Sequence, residues 1–400
     1  MHGLPVAFKD THLTRGMRTT LGSPVFAEQV PDEDELVVAR LQGAGAVRMG
    51  KTNVPEFGAG SHTFNPVFGA TRNPYDLRRS AGGSSGGAAA ALAAGLQPIA
   101  DGSDMGGSLR NPASFCNVVG LRTTPGRVPS YPTVNVWDTL TVPGPLGRTV
   151  ADVALLLSVM AGPDPRCPLS LETPSPDAFR APLERDTRGL RVAWAPDLGG
   201  RVPVDPDVRD VLGRQGAVFE ALGWRVTEDC PDLDGADAVF RTLRARAFHL
   251  SLGAVLDAFP GQVKATVVQN VEEGRRLTAD DIARATAEHT RILLAATAFF
   301  QRYDVLLAPV SQVAPFDVDL EYPTVVDGQR QESYIDWMRS CSWLSLLGAP
   351  ALSVPAGFTA DGLPVGLQIV GPPRAERAVL EVGAAFEAAT GWGRRRPPLR

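Results

Sequence analysis

The chain has little of what several function classes require. Its four cysteines, Cys116, Cys167, Cys230 and Cys341, lie far apart, and its five histidines neither cluster nor form an HExxH pattern. No metal site and no cofactor are therefore expected, and reduced thiols in a cytoplasmic chain are the simple reading. A basic excess is also missing. Against 39 Lys and Arg stand 44 Asp and Glu, for a net charge of −5, which argues against a nucleic-acid partner. No apolar run reaches the ~20 residues of a membrane helix, and the N-terminus lacks the charged-then-apolar pattern of a signal peptide. No internal repeat is visible. With apolar residues at 44% and charged ones at 21%, the chain has ordinary globular usage and enough length to bury a large core.

What the sequence does have is concentrated between Ser80 and Arg110, SAGGSSGGAAAALAAGLQPIADGSDMGGSLR. Two glycine-flanked serine sites occur there, Ser84-Ser85 within GGSSGG and Ser108 within GGS. Glycine/serine clusters commonly serve as linkers or turns. A linker, however, has no need of the helix-forming run Ala88 to Ala94 woven through it. Glycine beside serine permits positive φ and close approach to a ligand. It also leaves backbone N–H groups free to face an anion. Such a loop can present a hydroxyl nucleophile and hold an oxyanion.

A second motif is a decoy. Gly45 to Thr52, GAVRMGKT, formally matches the phosphate loop GxxxxGK[ST]. Its interior reads as a strand, a helix precedes it, and Asn53-Val54-Pro55 follows, so no nucleotide site is assigned.

Three motifs together resemble the amidase signature family of serine hydrolases. Gly3-Leu4-Pro5-Val6-Ala7-Phe8-Lys9-Asp10 has that family's G-x-P-x-x-x-K-D form. Lys9 stands 75 residues before Ser84, and Ser108 follows Ser84 by 24. The resemblance is strongest over residues 3–161 and is supported by GAPALSVPAGFTADGLPVGLQIVG from Gly348 to Gly371. It implies a Ser–cis-Ser–Lys triad, with Ser108 the nucleophile, Ser84 the bridge after a cis peptide, and Lys9 the ultimate base. Backbone N–H groups of Met105, Gly106, Gly107 and Ser108 would form the oxyanion hole. Ser85, Asp104 and Arg110 would support the loops, and the Met105 side chain would line an apolar acyl pocket. The implied activity is hydrolysis of small or hydrophobic amides, aryl amides included, through a seryl acyl-enzyme, with esters and carbamates (urethanes) open to the same chemistry. Two alternatives stand beside it: the glutaminase subunit of a tRNA-dependent amidotransferase, and a catalytically inactive scaffold. The wording GSDMGGSLRNPASF is closer to broad-specificity bacterial amidases. Family members carry several helices before the lysine strand, where this chain has eight residues. A natural short form and a shortened start are both compatible with that, and the resemblance leaves a homodimer open.

Strands and helices alternate along the chain, which defines an α/β fold. The resemblance makes it an amidase-signature fold, a central mixed twisted sheet with helices on both faces. One domain over 1–400 is expected: a signature core at 3–161, a variable substrate-pocket region at 163–345, and returning core at 346–391. Strands are expected at 4–8, 99–100, 190–194, 224–226, 305–307 and 365–370. Asp32 to Glu35 reads as the capped acidic first turn of a helix ending near Gly43. Helices are also expected from Thr149, from Asp205 through Leu222, across most of 234–303, and over 374–390. Prolines 163, 165, 168, 174, 176 and 182 mark a loop.

Overall fold

The computed structural model describes residues 1–173 and 177–398; the prolines expected in a loop at 174 and 176 lie outside the described residues. The chain opens with β1 (Pro5–Lys9), α1 (Leu36–Gly43) and β2 (Val47–Thr52), and β1 pairs in parallel with β2. There follow α2 (Gly86–Ala93), β3 (Ile99–Asp104), α3 (Arg110–Phe115), β4 (Val119–Arg122), β5 (Val142–Gly147) and α4 (Val150–Met160). Next come β6 (Arg191–Trp194), α5 (Pro206–Gly213), α6 (Gly216–Ala221), β7 (Arg225–Glu228), α7 (Ala236–Ala258), α8 (Ala265–Arg276) and α9 (Ala279–Arg302). The last elements are β8 (Val305–Pro309), α10 (Arg339–Ser345), β9 (Ala351–Phe358), β10 (Pro364–Val370) and α11 (Glu376–Thr390).

Eight strands form one sheet in the order β7-β6-β8-β10-β9-β4-β5-β3. Its β7, β6 and β8 strands are parallel and the remaining neighbours antiparallel, so the sheet is mixed. Side-chain alternation explains why helices cover both faces. In β8, Val305 and Leu307 join the core shared with α4, α5 and α11, whereas Leu306 and Ala308 join the core shared with α7, α9 and α10. All five residues of this strand are buried, as a strand sandwiched between helix layers must be.

Helix starts follow local chemistry where the side chains are free to serve it. Thr149 with Asp152, and Thr278 with Asp281, form reciprocal capping boxes at α4 and α9. The acidic run before α1 behaves differently. The helix begins at Leu36, and Glu35 makes no side-chain cap. Asp34 instead accepts from the Arg15 N–H at 2.7 Å, and Glu35 pairs with His12 Nδ1 at 2.9 Å. Tertiary partners thus take the carboxylates that a local reading assigns to a first turn. The single helix expected over 205–222 is two, α5 and α6, broken between Gly213 and Gly216, where two glycines weaken continuation. Strand β5, VPGPLG, is absent from the expected strands because its prolines and glycines argue against pairing. It nonetheless pairs along its whole length with β3.

Candidate active site

Strand β1 carries Lys9 inward. The chain buries Val6, Phe8 and Lys9 completely, and the Lys9 backbone N–H donates to Asp101 Oδ1 at 3.1 Å, tying the strand end to β3. Among the described residues the amine end meets only neutral oxygens: Nζ lies 2.8 Å from Ser84 Oγ, 3.0 Å from Ser103 Oγ and 3.3 Å from the Ser103 carbonyl. Burial pushes Lys9 down to about 7, against the opposing pull of Asp101, Asp104 and Glu35. Near neutral pH a substantial share of this side chain is therefore an uncharged amine, able to take a proton.

Ser84 and Ser85 sit in the turn that opens α2, and the Gly83–Ser84 peptide is cis. Small residues are required beneath that turn. A Cβ on Gly87 would stand 2.3 Å from the Asn53 backbone nitrogen, so α2 can lie this close to residue 53 only with glycine there. The Ser85 N–H donates to the Ser108 carbonyl at 3.1 Å, which joins the two serine motifs directly.

The turn after β3 is organised around Asp104. Its carboxylate accepts from the Gly107 N–H at 2.8 Å and the Leu109 N–H at 3.1 Å. It also receives Arg110 Nε at 3.0 Å and Nη2 at 2.9 Å, with Arg122 Nη1 at 3.3 Å. All three charged side chains are fully buried. Burial alone would raise the Asp104 carboxyl, but Arg110, Arg122 and the backbone donors outweigh it and hold it well below the usual carboxylate range. Arg110 reaches on to Gln368 Oε1 at 2.6 Å and Ser345 Oγ at 2.7 Å, so the turn is fastened to β10 and α10. Gly107 adopts φ 124°, and a Cβ there would fall 2.6 Å from Asn111 Nδ2. The Gly107 N–H, counted among the expected oxyanion donors, donates to Asp104, the carboxylate around which the turn is built.

Ser84 and Ser108 line one cavity of about 190 Å³, together with Thr11, Phe57, Ser103, Met105, Gly106 and Arg244. A larger cavity of about 390 Å³ shares Thr11, Phe57, Ser103, Met105 and Phe248 with it. Met105 borders both, and its sulfur receives Arg244 Nη1 at 3.2 Å. The phosphate-loop look-alike is strand β2, and its Lys51 Nζ is held by Thr14 Oγ1 at 2.8 Å and Thr19 Oγ1 at 3.2 Å, besides the His12 carbonyl.

Sequence reasoning missed Ser103 and Arg244. Ser103 could have been found from its place beside Asp104 in the signature stretch. Arg244, in the middle of α7, carries no local signal. It also missed the ionic chain behind Lys9, in which His12 lies 2.9 Å from Glu35 and 3.5 Å from Asp101.

With this geometry stand the comparisons. The Amidase family model matches residues 1–380. An acylamidase of Rhodococcus erythropolis is 40% identical over 99% of this chain and 83% of its own length. The crystal structure of a bacterial aryl acylamidase of the amidase signature family superposes with a TM-score of 0.90 at 30% identity, covering 98% of this chain and 84% of the other. A glutamyl-tRNA(Gln) amidotransferase subunit of Moorella thermoacetica is 37% identical over 99% of this chain and 85% of its own length. The protein is an amide-hydrolysing enzyme with the amidase-signature fold. It belongs to the amidase family. Among the described residues no helix is long and apolar enough to cross a membrane.

Proposed function

We propose that the chain hydrolyses carboxylic amides through an acyl-enzyme on Ser108. The observation that carries this reading is the 2.8 Å contact between Lys9 Nζ and Ser84 Oγ, made by a fully buried lysine. Ser108 Oγ attacks the amide carbonyl while its proton passes to Ser84 Oγ, and the Ser84 proton passes to the neutral Lys9 amine. The tetrahedral oxyanion is held by the N–H groups of Met105, Gly106 and Ser108, since Gly107 is engaged elsewhere. Collapse breaks the C–N bond, and the proton returns from Lys9 through Ser84 to the leaving nitrogen. Water then repeats the sequence and frees the acid. Ser85, Asp104 and Arg110 keep the two serine turns in register.

Small or hydrophobic amides, including aryl amides, are the substrate class that the likeness to acylamidases supports. Esters and carbamates present the same acyl centre. The glutaminase reading keeps its place through relatives such as the Moorella protein, and it predicts dependence on further subunits. We further read the chain as one amidase domain, supported by β3–β5 and β6–β10 sharing one sheet. Cytoplasmic location is supported by four free cysteines.

The direct test is labelling of the purified chain with a fluorophosphonate, located by peptide mass spectrometry, alongside a screen of anilides, aliphatic amides and carbamates. The adduct is expected on Ser108. An adduct confined to Ser84, or turnover that survives in Ser108→Ala, overturns the assignment. Anilide hydrolysis by the isolated chain counts against the glutaminase reading.

A further inference from the structure

We propose that His12 is a positioning residue for the proton relay: an imidazolium held between Glu35 and Asp101, it offsets the two carboxylates that stand behind Lys9 and so leaves the Lys9 amine free to accept a proton. This deepens the acyl-enzyme reading and rests on Lys9 being the base that serves Ser108.

The geometry decides the charge of the ring. His12 lies in the turn after β1, where its backbone N–H donates to the Lys9 carbonyl at 2.9 Å, and it is only 3% exposed. Nδ1 lies 2.9 Å from Glu35 Oε1, and Nε2 lies 3.5 Å from Asp101 Oδ2. A neutral imidazole carries one N–H and one lone pair. Set between two carboxylates, it would turn that lone pair toward an anion. Only the imidazolium presents a donor to both sides. Burial opposes the charge, but Glu35 and Asp101 outweigh it and raise His12 above its ordinary range.

The other charged groups around the ring are engaged elsewhere. From β3, Asp104 is answered by Arg110 and Arg122. On the turn itself, Asp10 accepts the N–H and the hydroxyl of Thr20. Before α1, Asp34 accepts the Arg15 N–H. From β2, Lys51 is drawn by Asp10, Asp101, Glu35 and Asp34, but burial pushes it down to about 8. Its amine is held by the His12 carbonyl, Thr14 and Thr19. Among the described residues, His12 is thus the one cationic side chain within ion-pairing distance of Glu35 or Asp101.

Both of those carboxylates pull on a proton at Lys9. Asp101 is the nearer in structure, since it accepts the Lys9 backbone N–H at 3.1 Å. Without the imidazolium, their unanswered charge would hold the amine in its protonated form to higher pH. Burial of Lys9 drives it toward neutrality, and His12 keeps its neighbours from undoing that.

The chain has three lysines, Lys9, Lys51 and Lys264, so isotopic labelling of lysine Cε gives NMR signals few enough to follow singly, and Lys9→Met assigns the one from Lys9. That signal, and kcat/KM for an activated anilide, are followed across pH in wild type, His12→Gln, Asp101→Asn and the double variant. In His12→Gln both midpoints should rise together by about one pH unit, lowering kcat/KM about tenfold below the wild-type midpoint while the rate recovers at higher pH. In Asp101→Asn both should fall. Adding His12→Gln to Asp101→Asn should raise them again, a comparison that stands even if His12→Gln alone does not fold. Midpoints that stay in place in His12→Gln, or that match between Asp101→Asn and the double variant, overturn the role of His12; a wild-type rate that tracks the Lys9 signal then leaves the relay intact. A wild-type rate that does not follow the Lys9 signal removes Lys9 as the base and overturns the relay and this proposal together.

Discussion

On one side of the Gly106-Gly107-Ser108 turn a lysine is buried among hydroxyls; on the other an aspartate is buried between two arginines. Both Lys9 and Asp104 are fully enclosed, and both lose the same solvation. Their titration runs in opposite senses relative to charge. Among the described residues no carboxylate touches the Lys9 amine, and it is pushed toward its neutral form at about 7. Asp104, met by Arg110, Arg122 and two backbone N–H groups, is pushed further into its ionised form. Burial therefore does not decide reactivity. The polarity of the first contacts does, and it separates a lysine pushed toward its neutral form from a carboxylate held in its charged form.

The largest effects should come from the reactive side. Ser108→Ala and Lys9→Ala are each expected to lower kcat by ~10⁴-fold or more, and the double variant should be no worse than the worse single one, as for groups that act as a unit. Steady-state rates on an activated anilide measure this. Additive losses would separate the two residues and break the relay. The structural side should respond in stability instead. Asp104→Asn leaves two buried guanidiniums without their carboxylate and should cost about 3–5 kcal/mol in urea unfolding. Lys9→Met removes a buried amine that no carboxylate among the described residues pairs, and should be neutral or stabilising. If Asp104→Asn keeps full stability while Lys9→Met loses it, the contrast between the clusters is reversed.

Titration sharpens the same contrast. Only the deprotonated amine accepts a proton, so kcat/KM should rise with pH through about 7, falling ~10-fold per unit below that point. The stability consequence has a definite sign. Between about 7 and the ordinary 10.5 the unfolded lysine binds more protons than the folded one, so folding becomes more favourable as pH rises across that window. The stability advantage of Lys9→Met should accordingly be greatest below pH 7 and fade toward 10.5. A pH-independent difference between the two proteins would mean that Lys9 is not held neutral.

Much of this arrangement is legible in the sequence, and the reason is local. Lys9, Ser84 and Ser108 each lie in a short motif whose glycines and prolines leave few backbone choices, and α4 and α9 announce themselves by their caps. What is not legible depends on distant partners. Glu35 looks like a helix cap until His12 arrives from 23 residues earlier. β5 looks like a loop until β3 supplies its ladder. The hydrogen bond from the Gly107 N–H to Asp104 has no sign in the local sequence either. Arg244 is one arginine among many on a long helix. Only its place on the cavity wall, a tertiary fact, sets it apart.

The smallest expected effect concerns Ser103, which stands beside Lys9 at the end of β3, next in sequence to Asp104. Its hydroxyl lies 3.0 Å from Lys9 Nζ, next to the 2.8 Å contact with Ser84. As an acceptor it favours the charged amine, so Ser103→Ala should shift the pH–rate midpoint downward and lower kcat by only ~5-fold, the worth of one hydrogen bond of ~1 kcal/mol. The proton route itself should survive, because Ser84 still connects Lys9 to the cavity. A loss as deep as that of Ser108→Ala, with the pH midpoint unmoved, would transfer the bridging role from Ser84 to Ser103 and redraw the path by which the lysine reaches the nucleophile.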